Sequence, residues 1–310
     1  MQPGAATKLC RRTAVAVAVL AAACSTASYE PGKLTPDQVA QCRAVEAAYR
    51  AQAADYPAKR DAMKQDPVAA GWLTRMFVRD VFTVREGRPL GGDEELFRAA
   101  IKAEDPTEVR ALAEIKELGA MAVPTLVGDL LLHEQPHPRE LGVELLAHVG
   151  APARPELLRI VREGETRQQR AAMRSLAMCG VDAEVMAMLR VQANDEDFTV
   201  RADALRCLRH AGPEGQVLLG ERMQQDSDPF VRRVAAETLA HFRSSKTALV
   251  LVDYLERCKR DKDWPGELAA QKALQRMAGK RGPRTPEAWR AAAPTFDQPR
   301  PVPASSDPPR

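Results

Sequence analysis

Residues Val200 to Gly212 read V-R-A-D-A-L-R-C-L-R-H-A-G. Val200, Ala204, Leu205, Leu208 and Ala211 fall on one face of a 3.6-residue helix. Gly212 stands where a helix needs a residue at ease with positive φ, so it reads as the stop. The acidic D-E-D-F-T run before it supplies Asp197 or Thr199 as a cap for free backbone N–H groups. The same pattern recurs along the chain. Aligned on the terminal glycine, it gives Gly119, Gly150, Gly180 and Gly212, with Arg243 in the fifth glycine slot, at steps of 31, 30, 32 and 31 residues. Eight residues before each slot lie Ala111, Gly142, Ala172, Ala204 and Ala235, small enough to let helices approach closely. Four residues later come Ile115, Leu146, Leu176, Leu208 and Leu239, the large core residue of each unit. A second apolar stripe follows every slot, and Pro124 and Pro155 fall in the first turn of that second helix, where proline costs little. Two helices per period of about 31 residues mean a stacked helical solenoid.

The V-R-x-x-A-x-x-x-L columns (Val200, Arg201, Ala204, Leu208; Val231, Arg232, Ala235, Leu239) resemble HEAT repeats. With the lead-ins N-D-E-D-F-T and D-S-D-P-F they are similar to the short HEAT-like type, seen also in phycobilisome-lyase relatives. The resemblance covers Pro106 to Tyr254, and a degenerate sixth unit is expected from Glu267 to Ala292. Pro138 and Gln168 replace the valine, and Gln169 the arginine, which weakens single repeats without breaking the period. The resemblance implies an all-α, right-handed α-α superhelix. It implies a scaffold or binding surface more than any particular chemistry.

Outside the array the chain changes character. Lys8, Arg11 and Arg12 precede an apolar run closed by L-A-A-A-C at Cys24, the layout of a signal peptide over residues 1–24. Its end resembles a bacterial lipobox, with alanine rather than leucine three places before the cysteine. That resemblance implies lipidation of Cys24, with simple cleavage and secretion as the alternative reading. Ser25 is not the aspartate of an inner-membrane retention signal, so an outer-membrane lipoprotein facing the periplasm is expected, touching the membrane only through its N-terminal lipid. Residues 25–34 read as a tether and 35–104 as a helical N-terminal cap. In the cap, Trp72, Leu73, Met76, Phe77, Val81 and Phe82 form the most aromatic surface of the sequence, expected to cover the open end of the array of 105–292. The proline-rich stretch 293–310 reads as a disordered tail.

Charge and motifs exclude several classes. The chain has 45 basic and 42 acidic residues. Without the three bases of residues 1–24 it is formally neutral, and a nucleic-acid partner is not expected. His133-Glu134-Gln135-Pro136-His137 matches the zinc-protease pattern H-E-x-x-H, but prolines at 136 and 138 deny it the shared helical face that metal binding needs. His148, His210 and His241 each fall two residues before a glycine slot, and no third ligand joins the pair that could meet. The chain has a single His-Glu dipeptide, too few for an iron site like that of deoxyhypusine-hydroxylase-like enzymes. No C-x-x-C, P-loop, G-x-S-x-G or dinucleotide fingerprint is present, so no metal, cofactor or catalytic residue is assigned. Cys179 and Cys207 could bridge adjacent repeats in an oxidising compartment, although free buried thiols suit their positions better.

The expected function is a non-catalytic, envelope-tethered scaffold for a protein partner. The competing readings are an enzyme or small-ligand binder of the bilin-lyase-like type and an intracellular adaptor. HEAT resemblance implies that the second helices line the binding face. Their buried positions are expected four or five, seven or eight, and eleven residues past the slot, leaving Arg159, Arg162, Arg190 and Arg222 outward, with Asp129 and Asp253 toward the ends. This row is the candidate partner-binding site, suited to an acidic partner.

Overall fold

The computed structural model describes residues 34–85, 105–279 and 282–298. The expected signal peptide with Cys24, the tether up to residue 33, residues 86–104 of the expected cap, and the tail beyond Gln298 lie outside them. Among the described residues the chain is helical with no strand, and its repeats make an all-α solenoid. It divides into two compact units between Ser175 and Leu176.

The first unit opens with α1 (Pro36–Arg50), α2 (Tyr56–Met63) and α3 (Pro67–Arg85). Thr35 and Gln38 close a reciprocal capping box on α1. Then come α4 (Pro106–Leu118), α5 (Val123–Leu126, continued as a π turn over Val127–Leu131), α6 (Pro136–Val149) and α7 (Arg154–Glu163). The unit boundary falls within α8 (Thr166–Cys179). Tyr49 of α1 meets Phe77 of α3 edge-on at 5.1 Å, and α3 packs against α4 and α5. Leu73, Met76, Phe77 and Val81 are buried there, whereas Trp72 and Phe82 are only half-buried. The centre of the aromatic surface is therefore Phe77 rather than Trp72.

The second unit contains α9 (Ala183–Gln192), α10 (Phe198–Cys207), α11 (Gly212–Gln225), α12 (Pro229–Leu239), α13 (Ser245–Asp261), α14 (Trp264–Ala278) and α15 (Pro286–Ala292). First helices pack on first helices, α10 on α12 and α12 on α14. Second helices do likewise, α11 on α13 and α13 on α15. Helix α14 thus occupies a first-helix position, and α14 with α15 makes the degenerate sixth hairpin.

The sequence columns explain the packing. Ala111, Ala172, Ala204 and Ala235 are fully buried, and so are the large residues four places on. At Gly142 an added Cβ would lie 2.7 Å from the Leu131 backbone nitrogen. The π turn brings that backbone in, and only glycine leaves room for it. The slot glycines take positive φ, from 56° at Gly119 to 116° at Gly180. They pivot the chain between the two helices of a hairpin: α10 ends at Cys207, a 3-10 turn spans Leu208–His210, and α11 begins at Gly212 itself. Asp197, not Thr199, is the cap, accepting the Thr199 N–H at 2.7 Å.

Pro57 sits in the first turn of a separate helix, α2. One expectation is corrected. The stretch from residue 293 is not wholly loose, since Ala293–Asp297 forms a 3-10 helix with Phe296 buried and stacked on Trp289. Arg243 holds it there. Its guanidinium donates to the carbonyls of Met277 at 3.3 Å, Thr295 at 3.2 Å and Phe296 at 2.7 Å, and to that of Gln298.

Candidate interaction surface

The repeat arginine works inside the scaffold. Arg139, Arg201 and Arg232 each donate one Nη1 to two carbonyls of the preceding loop: His133 and Glu134, Asp195 and Glu196, Asp226 and Ser227. Arg201 also grips the Asp226 carboxylate with both Nε and Nη2, at 3.0 and 3.1 Å. Asp228 caps α12 through the Phe230 N–H. Asp226 therefore splices one repeat to the next, while Asp228 closes the start of its own helix.

The first repeat carries Glu108 in the arginine slot, and the cation comes instead from the cap. Arg85 of α3 donates Nε to Glu108 at 2.5 Å and Nη1 to Glu144 of α6, with all three side chains buried. Burial holds Glu144 above the usual carboxylate range, against the pull of Arg85. Other contacts join cap to repeat. Tyr56 and Arg60 donate to Glu114 at 2.6 and 3.0 Å, Arg75 to Asp129 at 2.6 Å, and the Arg110 guanidinium lies 4.0 Å from the Tyr49 ring centroid.

The motifs with chemical potential are placed as follows. His133 lies in the loop before α6, and its Nδ1 accepts the Gln135 N–H at 3.0 Å. Helix α6 starts only at Pro136, and His137 turns to the Phe82 ring, 5.5 Å away. The two histidines do not share a helical face. His148 contacts the Leu112 carbonyl at 3.0 Å, His210 accepts from its neighbour Arg209, and His241 is exposed. Among the described residues no group of three His, Cys, Asp or Glu could hold a metal ion. Cys42, Cys179, Cys207 and Cys258 take part in no disulfide, so Cys179 and Cys207 are not bridged. Burial pushes Cys42 up to about 11 and raises Cys258, which keeps both protonated and poor nucleophiles at neutral pH. Among the described residues no helix is long and apolar enough to cross a membrane.

Within each unit the candidate arginines are engaged by neighbouring side chains. Arg159 binds Glu156 and Glu163 of its own helix, at 2.6 and 3.1 Å. Arg162 is exposed beside it on α7. Arg190 of α9 reaches Glu214 of α11 at 3.3 Å, and Arg222 of α11 donates back to the Asn194 side-chain oxygen. Asp253 is held by Arg290 of α15 at 2.9 Å.

Between these pairs the second helices of the second unit expose apolar side chains. Val191 on α9 is 67% exposed, Val217 on α11 54% and Leu249 on α13 36%. Val191 and Val217 stand eleven and five residues past their slots, where burial was expected. The register slips because α9 starts three residues after Gly180, burying Val185, Met186 and Leu189, and α11 starts at Gly212, burying Leu218, Leu219 and Met223. A fixed offset from the glycine could not anticipate that.

A sequence-family profile described as HEAT repeats matches residues 155–240 and, overlapping, 186–275. No curated protein matches the chain.

Proposed function

We propose that the chain is a non-catalytic scaffold, tethered to a bacterial envelope through Cys24, that captures a protein partner on the second helices of its HEAT-like repeats. The supporting observation is the surface of α9, α11 and α13, where exposed Val191, Val217 and Leu249 lie among charges already paired with one another. Apolar side chains within a satisfied polar lattice are what interface cores are made of: burying them releases water without stranding a charge. Because Arg190 and Arg222 are engaged, the partner need not be acidic. Apolar contact supplies the affinity and the paired charges form a rim.

Val217→Asp combined with Leu249→Asp should reduce capture of the partner from envelope extract by roughly tenfold or more. The thermal midpoint should hardly move, since both sites face water. Undiminished capture by a normally folded double variant would place the surface elsewhere. Anchoring is tested apart: Cys24→Ser should shift the protein out of the membrane fraction or leave it as unprocessed precursor. Unchanged fractionation and mass would remove the lipid tether while leaving the scaffold reading in place.

A further inference from the structure

A second surface lies on the opposite helices of the second unit. Its first helices α10, α12 and α14 start with aromatic residues: Phe198 at the first position, Phe230 at the second and Trp264 at the first. Phe198 and Phe230 meet edge-on with centroids 6.0 Å apart, and the guanidinium groups of Arg206 and Arg233 lie 5.6 and 5.9 Å from the Phe230 ring centroid. Helix α14 packs on α12 as α12 packs on α10, which carries the row of starting turns on to Trp264. Trp264 is 69% exposed and Phe198 44%. Exposed carboxylates flank the row, Glu196 beside Phe198 and, beside Trp264, Asp261, which lies 3.5 Å from the guanidinium of its neighbour Arg260. Phe230, between the two exposed rings, is half-buried. Rings exposed at both ends of such a row cost free energy in water, and their chemistry fits an extended, proline-rich segment bearing arginine.

Such a segment follows the described part of this chain. Residues 299–310 read P-R-P-V-P-A-S-S-D-P-P-R, with five prolines among twelve residues and Arg300 and Arg310 against a single acid, Asp307. The point of departure is fixed, because Asp297 accepts the Ser245 N–H at 2.7 Å at the start of α13. Helix α13 has 17 residues and ends at Asp261, three residues before Trp264. At the α-helical rise that separation is about 26 Å. Twelve residues in an extended polyproline conformation span about 37 Å. The segment can therefore travel the length of α13 and still lay three or four residues across the rings. We infer that residues 299–310 dock on the Phe198–Phe230–Trp264 edge of their own chain, prolines against the rings and arginine toward Glu196 or Asp261.

Tryptophan quenching by acrylamide tests this. The full chain is compared with one ending at Gln298, which keeps the Arg243-bound 3-10 helix, and the Trp264 contribution is isolated by difference against Trp264→Phe. Truncation should raise Trp264 quenching roughly twofold, and Phe198→Ala in the full chain should raise it in the same direction. A synthetic peptide of residues 299–310 added to the truncated chain should restore protection saturably. Equal quenching with and without the segment would overturn the inference, as would equal restoration by a peptide with its prolines replaced by alanine. Protection of the full chain that fades on dilution would also overturn it, since the occupant would then be a second copy's segment.

Discussion

Arg85→Ala is expected to destabilise the protein by about 3–5 kcal/mol in urea unfolding, because it strands two buried carboxylates. Glu108 and Glu144 are both buried, and Arg85 bridges them from α3. The loss should depend on pH with a definite sign. Burial already holds Glu144 above the ordinary carboxylate value of 4.5, and removing the arginine takes away the main opposing influence. Between the unfolded and the raised folded pKa the native state binds more protons, so stability falls as pH rises through that window. The deficit should be largest at neutral pH and shrink as the pH is lowered toward 4.5. Adding Glu108→Gln and Glu144→Gln should recover much of it at neutral pH. A deficit independent of pH, and unrelieved by the glutamines, would mean that Arg85 contributes through its stem rather than its charge.

Trp289→Ala should cost about 3–5 kcal/mol, the usual range for emptying a buried tryptophan site. The ring is 1% exposed, stacks on Phe296 with centroids 6.4 Å apart, and sits on α15 against α13. The loss should spread to the Ala293–Asp297 turn, whose Phe296 would lose its partner. Protection of the amides around residue 297 should then fall with the melting point. Arg243→Ala removes the grip on the same segment from outside the core, leaving Trp289 buried, and is expected to loosen the turn without a comparable drop in stability. If Trp289→Ala melts like the parent, the closing hairpin does not seal the end of the second unit.

The period was legible because it is written in sterics. Ala111, Gly142, Ala172, Ala204 and Ala235 must be small where helices meet, and Gly119, Gly150, Gly180 and Gly212 must turn with positive φ. Such needs recur every 31 residues or so and survive the loss of single motif residues. The site was much less legible. That Arg190 would meet Glu214, or Arg222 Asn194, depends on which residues two different helices bring face to face, and periodicity within one helix says nothing of that. The exposure of Val191 and Val217 turned on where α9 and α11 begin relative to their glycines. One signal was available. Glu108 breaks the arginine column of the repeats, and a buried acid in a basic column asks for a cation from outside the array, which Arg85 provides. Phe296 could have been suspected as well, being the sole aromatic residue in the proline-rich stretch from 293 onward.

Site-specific photo-crosslinking tests the proposed scaffold most directly. A photoreactive residue is placed in turn at Val217 and Leu249 on the second helices, and at exposed Glu237 on the first helix α12, in cells expressing the full chain. The account predicts the same discrete protein adduct from Val217 and Leu249 and none from Glu237. Adducts from Glu237 alone, with silence at Val217 and Leu249, would contradict it.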